Sequence, residues 1–454
     1  MEYNYFEFFR DKTALELSGY FDTDVWNRLV LQICHEEDFA RQAVIAIGAL
    51  TKTTAIAAAC TEGLDFLEQP ARRHYDYALR QYGKALQLMQ DICHKEAKTR
   101  LRNTLISSLL TTCFESYIGN QENAVAQAKA GVDVLVEYQD RAHLDGHGGF
   151  LGLDLICTFA RLDSQILTFR DTGIARRTSE NWTTITPDLL PFLQMLPRRF
   201  DSVREARMYW DLIVEAAMLW VASHPSGFSI LDFGENNIRE NQEKLGTFSQ
   251  KIQHELHVYT TVTEQWFQSF QPIFEHSRAQ KDSKDFLGAN ILMIKYLSSR
   301  VAVPRLVQHC DTYQDGFLQD YIAVVELARD LLEADDRNHI RGKPIFIFDD
   351  SLVAGLFFVA TRCRERIVRR QAIDLLRHYP RREGLWDSSM AAKVATWFVE
   401  TEEAGMEDGF IPPSARMKIV KIDSILSERK AVVRCSKISG LEGTTFLPEV
   451  TLTW

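Results

Sequence analysis

The chain has 454 residues, 46% hydrophobic and 25% charged, enough to bury a large core and a composition that excludes disorder over most of its length. Lys and Arg number 52 against 62 Asp and Glu, a formal charge of −10. That sign excludes a surface that is basic throughout, as a dedicated nucleic-acid module would carry.

The start, "MEYNYFEFFR", has no basic segment leading into an apolar run, so it does not read as a secretory signal. The longest apolar run, "LVAGLFFVA" at 352–360, has nine residues, whereas a membrane span needs about 20. An intracellular chain without membrane helices is expected. Cys34, Cys60, Cys93, Cys113, Cys157, Cys310, Cys363 and Cys435 lie at least 20 residues apart. Neither a zinc site, which takes pairs brought together by short turns, nor a disulfide framework is expected from that spacing. They read as reduced core cysteines, and no metal or cofactor is assigned.

In chain order, "EEDFARQAVIAIGAL" (36–50) places Phe39, Ala43, Val44, Ile47 and Leu50 on one helix face. "HYDYALRQYGKALQLMQDI" (74–92), "LRNTLISSLLTTCFESYIGN" (101–120) and "ENAVAQAKAGVDVLVEY" (122–138) continue the pattern, with Gly119-Asn120 as a stop. Breaks rich in Gly, Pro, Asn and Asp fall at 139–149, 223–246 and 405–415. Further helices are expected over 247–274, 284–300, 314–333 and 352–378. No 34-residue period repeats. After 415 the pattern changes to period two: "RMKIVKID", "KAVVRCSKI" and "EVTLTW" read as strands. The expected fold is all-α, stacked helical hairpins in an α-solenoid-like or multi-helix array, with a small C-terminal β-hairpin. It divides into a helical region at 1–415, with sub-boundaries near 139–149 and 223–246, and a β-rich element at 416–454.

Motifs that carry chemistry are scarce. "GHGGFLG" (146–152) has Leu151 where a dinucleotide loop needs glycine, and neither a phosphate loop nor a nucleophile elbow occurs. His254 and His257 stand three apart on a helix and, with Asp163, are the acid–base candidates. The most unusual stretch is "CRERIVRRQAIDLLRHYPRREGLWDS" (363–388), with seven arginines and no lysine. Guanidinium forks suit carboxylates and backbone carbonyls, so this reads first as an internal helix–turn–helix corner, less readily as a ligand contact or a nucleic-acid grip. Its structural or ligand-contact cluster is Arg364, Arg369, Arg370, Glu383, Trp386 and Asp387, of which Arg364, Glu383 and Asp387 would also serve acid–base work. Asp387 or Ser388 suits the N-cap of the next helix.

The segment "FVATRCRERIVRRQAIDLLRHYPRREGLWDSSMAAKVATWFVETEEAG" (358–405) resembles the C-terminal regulatory region of fungal zinc-binuclear-cluster transcription factors. "YFDTDVWNRLVLQICHEEDFARQAVIAIGAL" (20–50), "TFARLDSQ" (158–165), "DLLPFLQMLPRRFDSVREARMYWDLI" (188–213), "CDTYQDGFLQDYIAVVELARDLL" (310–332) and "FIFDDSLVAGLFFVATRCR" (346–364) follow in the same order. The resemblance runs from about residue 20 to Trp454. It implies a helical regulatory module, a nuclear (or cytoplasmic) location, and control of a secondary-metabolite gene cluster. It also implies a small-molecule effector and, as partners, other transcription regulators or a homo- or heterodimer. It carries no catalytic residues. The family's DNA reader is a six-cysteine cluster holding two zinc ions, and no such cluster occurs in this sequence, so direct DNA binding is not expected of it. The competing expectations are a helical fold recruited as a non-redox biosynthetic enzyme of isomerase or cyclase type, and a plain interaction scaffold.

Overall fold

A computed structural model describes residues 2–21, 24–59, 69–145, 152–169, 195–223, 238–281, 283–305, 313–338, 345–349, 352–439 and 443–454. Of these, 77% are helical. Helix α1 (Glu2–Phe8) passes through a π-turn into α2 (Ala14–Ser18), which Gly19 ends at φ 62°. There follow α3 (Val30–Glu36), α4 (Asp38–Ala59), α5 (Gln69–Met89), α6 (Ala97–Ile118), α7 (Gln121–Asp145) and α8 (Leu153–Phe169). Next come α9 (Val203–Ser223), α10 (Ile238–Arg278), α11 (Lys284–Arg305) and α12 (Leu318–Asn338). Most helices pack against their neighbours in sequence, as a stacked array requires.

The α6–α7 hairpin shows why the stop at Gly119 was legible. Gly119 takes φ 86°, a left-handed conformation that costs glycine nothing, while the Gly119 and Asn120 N–H groups close onto Ser116 and Glu115 carbonyls. A different glycine fixes the approach of α1 to α4. A Cβ built on Gly48 would lie 2.4 Å from the Tyr5 carbonyl oxygen, a backbone atom that cannot swing aside. Gly48→Ala is therefore expected to push α1 off α4 and cost about 1–3 kcal/mol, the usual range for overpacking, measured by urea unfolding.

Three sequence expectations need correction. The helix expected over 352–378 is two helices, α13 (Val353–Arg362) and α14 (Arg366–His378), broken at Cys363–Glu365. The Glu365 carboxylate accepts from Val368 N–H at 2.7 Å and starts α14 afresh. The breaks at 139–149 and 223–246 are narrower than expected, because α7 continues to Asp145 and α10 begins at Ile238. A small sheet was not foreseen. Strand β1 (Ile345–Ile347) pairs parallel with β2 (Arg381–Glu383), which turns at Gly384 (φ 53°) into antiparallel β3 (Trp386–Asp387).

Helix α15 (Ser388–Glu403) then leads to the C-terminal strands. Period-two alternation forms β4 (Lys418–Ile425) and β5 (Lys430–Ser439), the expected hairpin, but β6 (Gly443–Phe446) and β7 (Val450–Thr453) extend it to four antiparallel strands. Met417, Ile422, Ala431, Val433 and Cys435 join the helical core, and β5 and β7 lie against α15. Cys34, Cys113, Cys157, Cys363 and Cys435 are free and buried, whereas Cys93 is exposed; Cys60 and Cys310 lie outside the described residues. Among the described residues no helix is long and apolar enough to cross a membrane.

Candidate functional site

The arginine-rich stretch folds inward. Arg369 has no exposed surface: its Nε donates to the Ala360 carbonyl at 3.2 Å and its Nη2 to Glu402 at 2.8 Å. Glu402, also fully buried, sits 3.2 Å from Arg364 and accepts from Met417 N–H at 2.8 Å. Arg364 in turn donates to the carbonyls of Thr361 and Arg362, which lie at the end of α13. Burial, helped by Arg369 and Arg416 nearby, holds Arg364 below the ordinary guanidinium range, and Glu402 opposes that. Arg370 pairs with Glu403 across the same helices.

Arg381, two residues before Glu383, anchors a second knot. Its Nη2 meets Tyr20 and lies 3.2 Å from Asp335, and its Nε lies 3.0 Å from Glu383. Tyr20 donates to Asp335 at 2.7 Å. Burial works against the charge on Arg381, but Tyr20, Glu383 and Asp335 outweigh it and raise its pKa. Glu383 accepts the Leu352 and Val353 N–H groups at 2.7 and 2.9 Å, so it also caps the start of α13. Trp386 is buried against Phe357, with ring centroids 5.1 Å apart. Asp387 is the N-cap of α15, accepting from Met390 N–H at 2.9 Å, with Arg382 3.9 Å away. Arg382 donates to the Ser116 and Tyr117 carbonyls in the last turn of α6.

Arg364, Glu383 and Asp387 therefore belong to three different arrangements and do not form one acid–base cluster. Nor can the buried members of this stretch reach phosphates. His254 and His257 stand exposed on α10, and Asp163 is buried in α8. None of these three lines either cleft described below. Among the described residues no group of three or more His, Cys, Asp or Glu is placed to hold a metal ion.

One cleft, about 280 Å³, lies where α8 and α9 meet the N-terminal segment. Phe21, Val25, Leu153, Cys157 and Met208 supply its apolar wall. At its base, Arg161 donates to Asp211 at 2.5 Å and to Thr158 at 2.9 Å, and its Nε lies 3.4 Å from Asp349. Arg207 donates to Asp349, lies 3.6 Å from Asp211, and stacks 3.9 Å over the Phe21 ring. Burial pushes the Cys157 thiol up to about 12, which makes it a wall and not a nucleophile. A second cleft of similar size is lined by Arg329, Gln371, Asp374 and His378 on α12 and α14.

Burial would raise the Asp349 carboxyl, but Arg207, Arg161 and Lys295 outweigh it and hold its pKa below the ordinary range. The stability this confers is present above the ordinary carboxylate range and is lost as pH falls through the depressed value. Asp349→Asn is expected to remove that part of the acid dependence, read as a flatter fall of urea midpoint below about pH 4, where an ordinary aspartate begins to protonate.

Sequence reasoning missed this cleft. Its base is assembled from α8, α9 and the end of β1, and the one local signal was Arg207 and Asp211, four apart on a helix.

Residues 4–141, which span α1 to most of α7, match the family described as the fungal specific transcription factor domain. The chain is also 38% identical over 76 residues to the aspercryptin biosynthesis cluster-specific transcription regulator of Emericella nidulans. That match covers 15% of this chain and 12% of that protein. No solved structure matches the chain.

Proposed function

We propose that this chain regulates transcription of a fungal biosynthetic gene cluster, acting in the nucleus as an effector and regulatory module. The observation that carries this reading is the match of residues 4–141 to the fungal specific transcription factor domain. Similarity to a regulator of a biosynthesis cluster points to secondary metabolism as the setting. Within 363–388, Arg369 and Arg381 support a regulatory scaffold over a nucleic-acid grip, since both are buried and bonded inside the fold. Residues 1–454 contain no six-cysteine cluster. DNA contact would come from a partner regulator, a second copy's associated reader, or a segment outside these residues.

Deleting the gene in its host and measuring transcripts tests the reading. A coordinated fall or rise of one set of clustered biosynthetic genes is expected, with a fluorescent fusion in the nucleus. Unchanged transcripts, with a single biosynthetic intermediate accumulating, would replace regulation with catalysis.

A further inference from the structure

The cleft between α8, α9 and the N-terminal segment pairs an apolar wall with a cationic side chain that has a donor to spare. Arg207 is 5% exposed and lines the cleft. Its Nη2 serves Asp349, its Nε faces Asp211, and its buried Nη1 has no hydrogen-bond partner among the described residues. A buried donor left unmade is costly, so an acceptor entering beside it is favoured. Among the described residues, Arg161, Arg207 and Lys295 act on Asp349, with Asp211 the second carboxylate. At the lining itself Arg161, Arg204 and Arg207 are matched by Asp154, Glu205 and Asp211, so an entering anion is held by the Arg207 donor and not by a net positive charge.

The rest of the cleft sets the body of the ligand. Phe21, Val25, Leu153 and Met208 offer apolar contact, and the flat face of Phe21 is already held by the Arg207 guanidinium. The volume, about 280 Å³, exceeds the roughly 150 Å³ that holds a benzene ring. Entry is past Leu153 and Arg204, both exposed; Arg204 is held at the rim by Asp24 and Asp154 at 3.0 and 3.4 Å.

We propose that this cleft binds a small organic monoanion, one or two rings or a short branched chain bearing a carboxylate that accepts from Arg207. The ring packs on Phe21 and Met208 while the carboxylate reaches the base. Because Asp349 follows β1, which pairs with the strand carrying Arg381 and Glu383, occupancy would be felt at the N-terminal knot around Tyr20. Its use as an effector site rests on the regulatory reading, whereas binding itself does not.

The test titrates the full chain with benzoate, phenylacetate and 1-naphthoate, and with the matching neutral amides, by calorimetry. At least one acid is expected to bind at least tenfold more tightly than its amide. Met208→Trp fills the cleft from a half-buried position and is expected to abolish that binding in a chain that remains folded by circular dichroism. Arg207→Lys keeps a cation for Asp349 but loses the spare donor, with a tenfold or greater loss expected. Acids and amides binding equally, no acid binding up to its solubility, or full binding by folded Met208→Trp would each overturn the proposal. If acids bind yet gene deletion changes no transcript, the site stands and the regulatory reading fails; the reverse pair of results keeps the regulator and removes the site.

Discussion

Replacing Glu402 with alanine is expected to destabilise the protein by about 3–5 kcal/mol, the range for breaking a buried ion pair from one side. The reason is local crowding of positive charge. Glu402 is the carboxylate between Arg369 and Arg364, at 2.8 and 3.2 Å, and all three side chains are at least 89% buried. Without it two guanidiniums face each other in low dielectric, and Met417 N–H loses its acceptor at the junction of α15 with the C-terminal sheet. Exposed pairs nearby set the contrast. Arg366 and Glu403 are 3.6 Å apart with the arginine 66% exposed, so Arg366→Ala should cost under about 1 kcal/mol. Urea unfolding of both variants checks the prediction, and a loss from Glu402→Ala no larger than that from Arg366→Ala would contradict it. Replacing the whole arrangement by apolar residues, Arg364→Met, Arg369→Met and Glu402→Leu together, should recover much of the loss, because no charge is then stranded.

The same residues show what sequence could and could not reveal. Helical periodicity is a local property, so α4 to α7 and their Gly119 stop were legible, as was the alternation that makes β4 and β5. The Asp387 cap was legible for the same reason, being three residues from the N–H it accepts. Arg369 was not. On a helical wheel it sits at the edge of the apolar stripe, and its complete burial depends on Glu402, 33 residues further along. The break at Cys363–Glu365 was hidden because apolar spacing continues through it; carbonyls freed there are taken by Arg364, whose own charge is balanced from α15. Strands β2, Arg-Arg-Glu, and β3, Trp-Asp, are too short to carry an alternation to read. The cleft base draws Arg161, Arg207 and Asp349 from positions nearly 190 apart, a separation beyond any pattern-based reading.

Arg381 carries the other large effect, because it ties the region matched by the family to the rest of the fold. Tyr20 lies within residues 4–141, Asp335 on α12 and Glu383 on β2, and one guanidinium joins all three. Arg382 adds its two bonds to the end of α6, and Gln121 at the start of α7 donates to the Leu385 carbonyl at 2.5 Å. Residues 381–385 thus take up polar groups of Tyr20, α6 and α7 that those segments cannot satisfy alone. Arg381→Met would leave Asp335 and Glu383 buried without their shared cation, at an expected cost of about 3–5 kcal/mol. Tyr20→Phe removes one hydroxyl from the same knot and should cost about 1–3 kcal/mol by stranding a buried acceptor. In the double variant the two losses should fall short of additivity by about 0.5–3 kcal/mol, since the hydroxyl's partner is already gone. Hydrogen exchange locates the consequence: in Arg381→Met, faster exchange is expected at Phe348, whose N–H bonds the Leu17 carbonyl at 3.2 Å, and at Gly384, which bonds Ile347 at 2.8 Å. Exchange confined to β2 with Phe348 unchanged, or strictly additive losses, would mean that Arg381 serves its own strand and does not bind the N-terminal helices to the C-terminal half.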